Sequence, residues 1–282
     1  MVEVCYKARL GNNLFQYCLG RILAEELGFA LEAAPIAGFP GTRENILGKR
    51  YNEPVETLTE YRVDFDRLRT DCTPRKIVLD GWFQRYEYFR PYRQQIQDWL
   101  RLDESVQVPA VGNELVLNVR RTDYVTLGWA LPFSYYNEAI QRAGIGEGGI
   151  WIVTDAPSDP FFKRFKAFRP KFFSGSSLEG IAFMTKSRRL VLSQSTFGWW
   201  AAFLGNQEEI YAPLPKEGIW ASDPEGNTVN LIERDRFVCI ECQEGYRPTS
   251  HELFHQRRRL FKRRVILALN RRLGWSLTAP IG

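Results

Sequence analysis

Three short clusters in this 282-residue chain bring together residue types that handle anions and hydroxyls. Arg120-Arg121-Thr122-Asp123-Tyr124 follows the apolar run Leu115-Val116-Leu117-Asn118-Val119. A guanidinium stays charged at any working pH and offers a planar fork that grips two phosphate oxygens at once. Two of them together, in a chain without a P-loop, fit a diphosphate site; the plainer alternative is a surface Arg–Asp pair. Ser193-Gln194-Ser195-Thr196-Phe197 opens onto the apolar run Trp199-Trp200-Ala201-Ala202. Hydroxyls in that position cap a helix, and with the first helical amides they can also hold phosphate. Arg9-Leu10-Gly11-Asn12-Asn13 sits near the start. Glycine lets a backbone approach a ligand, and amide side chains both donate and accept; alone, the stretch is a turn with a helix start.

Other chemistries are excluded. The two histidines, His251 and His255, both lie in the C-terminal tail. A Ser-His-Asp or Cys-His centre in the body is therefore ruled out, and so is a His-rich metal site. Cys239-Ile240-Glu241-Cys242 is a lone C-x-x-C without the second pair that structural zinc needs. Asp64-Phe65-Asp66 looks like an acidic metal motif but lies in a charged, weakly patterned stretch and reads as solvated surface. From His251 onward there are eight Lys/Arg against one acid, net +7, so the rest, with 30 bases and 32 acids, is −2. The basic excess belongs to the tail and gives no reason to expect nucleic acid on the body. An odd count of five Cys, no secretory leader and no long apolar span point to reduced thiols and a cytoplasmic protein, with the inner membrane face as a second possibility.

The elements that must carry these clusters follow from periodicity. Residues 2–7 form a strand; Leu14 to Leu27 recur at helical spacing and Gly28 stops the helix. Residues 34–75 are weakly patterned. A strand at 76–79 leads into a helix over 86–100, and 106–112 reads as a linker. Beyond it, strands at 114–119, 149–154, 171–173, 189–192 and 209–212 alternate with helices near 134–142, 160–168, 178–186 and 197–204. That alternation predicts a parallel, doubly wound sheet, with ligands at the carboxyl ends of its strands.

Taken together and in order, the clusters resemble one family. Arg9-Leu10-Gly11-Asn12-x-Leu14-Phe15-Gln16-Tyr17, Trp82-Phe83-Gln84-Arg85-Tyr86-Glu87-Tyr88-Phe89, Arg120-Arg121-x-Asp123-Tyr124 and Ser195-Thr196-Phe197-x-Trp199-Trp200-Ala201-Ala202 are similar to the motifs of the α-1,2-fucosyltransferases of glycosyltransferase family 11. The resemblance spans about residues 5–213. It implies an α/β, GT-B-like fold with two Rossmann-like domains facing a cleft: residues 1–108 on the acceptor side and 112–250 binding a nucleotide sugar. Residues 251–282 remain as a basic amphipathic tail. It further implies GDP-fucose as donor substrate, a galactose-bearing glycan as acceptor, inversion at the anomeric carbon, and no metal or cofactor.

The resemblance assigns Arg120 and Asp123 to catalysis. Asn118, Arg120, Arg121, Asp155, Glu179, Ser193, Ser195, Thr196 and Phe197 would line the donor site, and Gly11, Asn12, Asn13, Gln16, Trp82 and Gln84 the acceptor side. Arg120 would hold the β-phosphate of the leaving GDP. Two positions depart from the family pattern. Asn118 stands where the motif begins with His, and Gly180 where the family has an acid, with Glu179 one residue earlier. Those two residues help read guanine in related enzymes, so a different nucleotide-sugar donor is the alternative, and an inactive glycan-binding module a further one. Asp123 is the first candidate base, with pairing to Arg121 its structural alternative; a base is dispensable if GDP departs ahead of attack. In the tail, Phe261, Val265, Leu269 and Leu273 would share one helical face among clustered bases, which suits an anionic membrane surface. The alternative is a helix packed back on the body. On the membrane reading, a chain cut before His251 should stay folded and active.

Overall fold

The computed structural model of the chain describes residues 1–44, 46–59, 62–71, 73–216, 219–220, 229–242, 247–254, 256–258, 261 and 266. The first hundred residues supply β1 (Val2–Val4), α1 (Leu10–Leu27), β2 (Leu31–Glu32), β3 (Val55–Leu58), α2 (Phe65–Thr70), β4 (Lys76–Leu79), α3 (Tyr86–Phe89) and α4 (Arg93–Trp99). All four strands are parallel, in the order β2-β1-β4-β3. Gly28 ends α1 in the left-handed conformation at φ 65°, which costs glycine no Cβ clash. The helix expected over 86–100 is broken by a 3-10 turn at Arg90–Tyr92, because Pro91 has no amide to continue the ladder. β3 and α2 lie in the stretch where periodicity gave no element. Asp64 of the D-x-D look-alike caps α2 by accepting from the Arg67 amide at 2.9 Å, and Asp66 pairs with Arg69 on the surface.

The second sheet comprises β5 (Leu115–Val119), β6 (Ile150–Thr154), β7 (Lys171–Phe172), β8 (Arg189–Val191), β9 (Glu209–Pro215) and β10 (Val238–Cys242). The helices are α5 (Thr122–Leu127), α6 (Phe133–Arg142), α7 (Ser177–Thr185) and α8 (Thr196–Leu204). Residues 160–168, expected as α-helix, form a 3-10 segment. β10, which carries Cys239 and Cys242, was not anticipated; it extends the sheet by pairing parallel to β9. The strand order is β10-β9-β8-β5-β6-β7. Counted from β5 as first, this is the 3-2-1-4-5-6 order of nucleotide-binding Rossmann sheets, with its switch point between β5 and β8. β5 alternates: Leu115, Leu117 and Val119 face one apolar layer with α5 and α6, while Val116 faces the other, with α7 and α8. Apolar residues on both faces are what a sheet covered by helices on both sides requires.

The two sheets share that second layer. Phe15 of α1 packs its ring 4.9 and 4.7 Å from those of Trp199 and Trp200 on α8, and the Trp200 indole donates to the Gly11 carbonyl at 2.8 Å. Arg93 of α4 donates to the carbonyls of Phe203 and Gly205 at the end of α8. Among the described residues no helix is long and apolar enough to cross a membrane.

Candidate active site

The amino ends of α1 and α8 meet where both sheets present the carboxyl ends of their strands. A Cβ on Gly11 would lie 2.6 Å from Thr196 Oγ1 and 2.9 Å from the Phe197 amide, so only glycine allows the two helix starts to come this close. On the first sheet the switch point lies between β1 and β4. Two non-glycine residues there adopt positive φ, Ala8 at 64° after β1 and Phe83 at 52° after β4; such backbone tends to cluster at functional sites.

Across the gap, Asn118 near the end of β5 and Ser193 after β8 meet at the switch point: the Ser193 hydroxyl donates to Asn118 Oδ1 at 2.6 Å. Ser195 caps α8, its Oγ accepting from the Phe197 amide. Arg120 leaves β5 toward this point. Its guanidinium donates to Asp123 Oδ1 at 2.7 Å and bridges to Asp155 Oδ2 at 2.9 Å. The Thr122 hydroxyl lies between these two carboxylates, within hydrogen-bond reach of each. The Tyr124 ring lies 5.4 Å beneath the guanidinium carbon and its hydroxyl donates to the Gln194 carbonyl. Burial pushes the Tyr124 phenol up to about 12, so it stays protonated as a donor. Arg9, at the head of α1, reaches over from the first sheet with its side chain 60% exposed and stands 3.8 Å from Asp123 Oδ2. Two guanidinium groups from opposite sheets thus converge on one carboxylate.

Burial works to raise the Asp123 carboxyl, but Arg120, the Thr122 hydroxyl and Arg9 outweigh it and hold the group below the ordinary carboxylate range. A carboxylate so stabilised is a weak proton acceptor, and its geometry is that of a brace for Arg120. Asp123 pairs with Arg120 and not with Arg121, as one alternative had it. Because its pKa is depressed by folding, its contribution to stability is present above the ordinary aspartate pKa of about 3.9 and is lost as pH falls through the lowered value. Asp123→Asn should therefore unfold at lower urea than wild type near pH 7. The two midpoints should converge in acid; a gap that is equal at both pH values would contradict the brace.

Several residues expected in the site have other work. Arg121 is 1% exposed and turned away from the switch point, between Asp159 and Glu252 and over the Phe161 ring at 4.1 Å. Parity explains it: Leu115, Leu117 and Val119 face the α5–α6 layer, and the next odd residue follows them. Asn118 and Arg120 share the parity of Val116. Glu179 closes a capping box with Ser176 at the start of α7, which holds its carboxyl below the usual range through the Ser176 amide. It is not directed at the space left by Gly180, where Phe197 packs. Gln16 is fully buried, accepting from the Lys7 amide at 3.0 Å and donating to the Gly81 carbonyl at 2.9 Å. It ties β1 to β4 and has no face toward a ligand.

The other residues expected on the acceptor side gather at the first sheet's switch point. Gln84 donates to Asn12 Oδ1 at 2.9 Å, and Trp82 is half-buried two residues earlier. Asn13 has a buried Oδ1 without a hydrogen-bond partner and borders an apolar cavity of about 330 Å³ between Tyr6, Pro35, Ile36 and Leu178. Sequence reasoning gave no role to Arg9, Tyr124, Gln194 or Glu252. For Glu252 a signal was present: Thr249-Ser250-His251-Glu252 is a capping-box pattern.

Comparison with known proteins follows the same lines. Residues 160–217 match the model of Glycosyl transferase family 11. Over 138 residues the chain is 24% identical to the O-antigen biosynthesis glycosyltransferase WbnK of Escherichia coli. That stretch covers 45% of this chain and 44% of the relative, so the match spans less than half of either protein. No solved structure matches the chain.

Proposed function

From the match of residues 160–217 to the model of Glycosyl transferase family 11 and the likeness to a glycosyltransferase, we propose that this chain is an inverting glycosyltransferase that moves a fucosyl group from GDP-fucose to a galactose-bearing glycan, forming an α-1,2 linkage. The observation that carries the reading is the Arg120 fork, held by Asp123 and Asp155 at the switch point of a Rossmann sheet and beside the amino end of α8. A fixed guanidinium aimed at a leaving diphosphate stabilises charge as it develops, without reorganisation at the moment of reaction. The helix terminus and the hydroxyls of Ser195 and Thr196 supply further donors. Arg9 lies within reach of the same anion. Among the described residues no group of His, Cys, Asp and Glu is arranged to hold a metal, and in this reading Arg120 does the work a metal would do.

In the same reading, residues 1–108 form the acceptor side of a GT-B-like pair and 112–250 the donor side. The acceptor hydroxyl enters past Asn12, Asn13 and Gln84. The Asp123 carboxyl, braced against Arg120 and held below the ordinary range, is a poor general base, so this reading places little demand on a base. The proposed membrane-facing tail positions Val265, Leu269 and Leu273 lie outside the described residues; Phe261 is described and exposed.

Asn118, engaged by Ser193, and Gly180 bear on the donor. With neither a His nor an acid at these positions, selection for guanine rests on fewer charge-assisted hydrogen bonds, each contributing about 1.5–3 kcal/mol. In EDTA-containing buffer, GDP should raise the melting temperature more than UDP or ADP but by a narrow margin, and GDP-fucose should be turned over. Clear preference for another nucleotide would move the assignment to the alternative donor. Strict dependence on added manganese or magnesium would remove the metal-free clamp.

A further inference from the structure

We propose that Glu252, remote from the candidate site, is a positioning residue for the arginine loop through the buried side chain of Arg121; the inference rests on the reading of Arg120 as the diphosphate ligand. Residues 250–254 are helical. Glu252 begins that helix with a capping box: its Oε2 accepts from the Thr249 amide at 2.8 Å and hydroxyl at 3.0 Å, and its own amide donates back to Thr249 Oγ1. The other carboxylate oxygen accepts from Arg121 Nη2 at 3.3 Å. One turn on, Gln256 donates to Asp159 Oδ2 at 2.7 Å, and Asp159 accepts in turn from Arg121 Nε at 3.3 Å. Glu252, Gln256, Asp159 and Arg121 are all buried.

The chain from there to the site is short. The Arg121 backbone amide donates to Asp155 Oδ1 at 2.8 Å, and the second oxygen of Asp155 holds Arg120 at 2.9 Å. Arg121 is thus gripped at both ends, its side chain by the C-terminal helix and its amide by the carboxylate that aims Arg120. A buried cation deprived of one partner does not stay where it was; it shifts toward water or toward the partner left, because an uncompensated charge in the interior is costly. Arg121 cannot shift its stem without moving the peptide it shares with Arg120. Displacements of about 1 Å in a charge clamp can cost about a hundredfold in rate. On this proposal a cut before His251, which removes Glu252 and Gln256, should lower activity, the opposite of what the membrane-tail reading expects.

The test uses full-length Glu252→Ala and Glu252→Gln. Glutamine also serves at this place in a capping box, so it keeps the helix start and removes only the charge facing Arg121. Wild type and variants would be compared for melting temperature, GDP affinity, kcat, acceptor KM and amide hydrogen exchange over residues 119–127. At a temperature where each is folded, Glu252→Ala should bind GDP several-fold more weakly and turn over about tenfold more slowly, with acceptor KM unchanged. Residues 119–127 should exchange faster while α1 does not, and Glu252→Gln should fall between the two. Should the alanine variant fail to fold, the glutamine variant carries the same comparison. Unchanged exchange over 119–127 together with unchanged GDP affinity would overturn the positioning role and leave the functional proposal standing. If wild type binds no GDP, while the variants still loosen 119–127, the functional proposal fails and the positioning role stands.

Discussion

Arg120→Lys should lose about a hundredfold or more of turnover, the scale of a missing transition-state donor, while the fold survives. Arg120 satisfies Asp123 and Asp155 at once, 2.7 and 2.9 Å away, and lies over the Tyr124 ring. Its side chain is only 19% exposed, so its aim is set by these neighbours and not by solvent. A lysine ammonium is a compact point charge on a flexible stem. It can answer one carboxylate but cannot hold both and still offer a second pair of donors to a diphosphate. The melting temperature should move little, because one ion pair remains available in a partly solvated setting. Steady-state kcat/KM with GDP-fucose and a thermal melt check the two halves separately. Near-normal turnover in a stable Lys variant would remove Arg120 from the site.

Gly11→Ala should be the most damaging single-methyl change at the junction of the two sheets. The added carbon would stand 2.6 Å from Thr196 Oγ1 and 2.9 Å from two backbone atoms of Thr196 and Phe197. Backbone at a helix start cannot step aside as the tip of a side chain can, so α1 and α8 must separate. Overpacking of this kind costs about 1–3 kcal/mol, or about 2–4 °C in melting temperature per kcal/mol for a chain of this size. The separation also shifts the Thr196 hydroxyl and the capped end of α8, so activity should fall by tenfold or more if a phosphate sits there. Gly146→Ala is the control: nothing lies within 4 Å of its would-be Cβ, and both stability and turnover should stay at wild-type values. Equal melting of Gly11→Ala and wild type would mean that the helices do not approach as described.

What could be read in advance, and what could not, follows from which interactions are local. Gly28 ends α1 because a left-handed cap is a local need. The arginine cluster falls at the end of β5 because an apolar run announces both the strand and its end. Partnering across distance left no such mark. Two adjacent arginines look alike in a motif, yet strand alternation sends Arg120 to the switch point and Arg121 into the opposite layer; carrying the parity of Leu115, Leu117 and Val119 two residues further would have separated them. Gln16 is expected on the acceptor side through the family motif alone. It lies on a helix that is buried on most sides, where its amide must pair with the backbone of β1 and β4. β3 escaped notice because it is exposed or half-buried along its length and so has no apolar rhythm.

The aromatic seam between α1 and α8 has a consequence for how the chain acquires its structure. The strands of the first sheet are two to four residues long, and part of the apolar surface of α1, at Phe15, is covered by Trp199 and Trp200, nearly two hundred residues later in sequence. During synthesis the amino-terminal half emerges with Phe15 and its neighbours uncovered, and it must wait for α8 before its interior closes. Contacts of such long sequence separation are slow to form, and the exposed aromatic face is sticky in the interval. A tightly fused pair of sheets is therefore gained at the expense of independent folding, and the half that emerges first completes its packing only when α8 has been made.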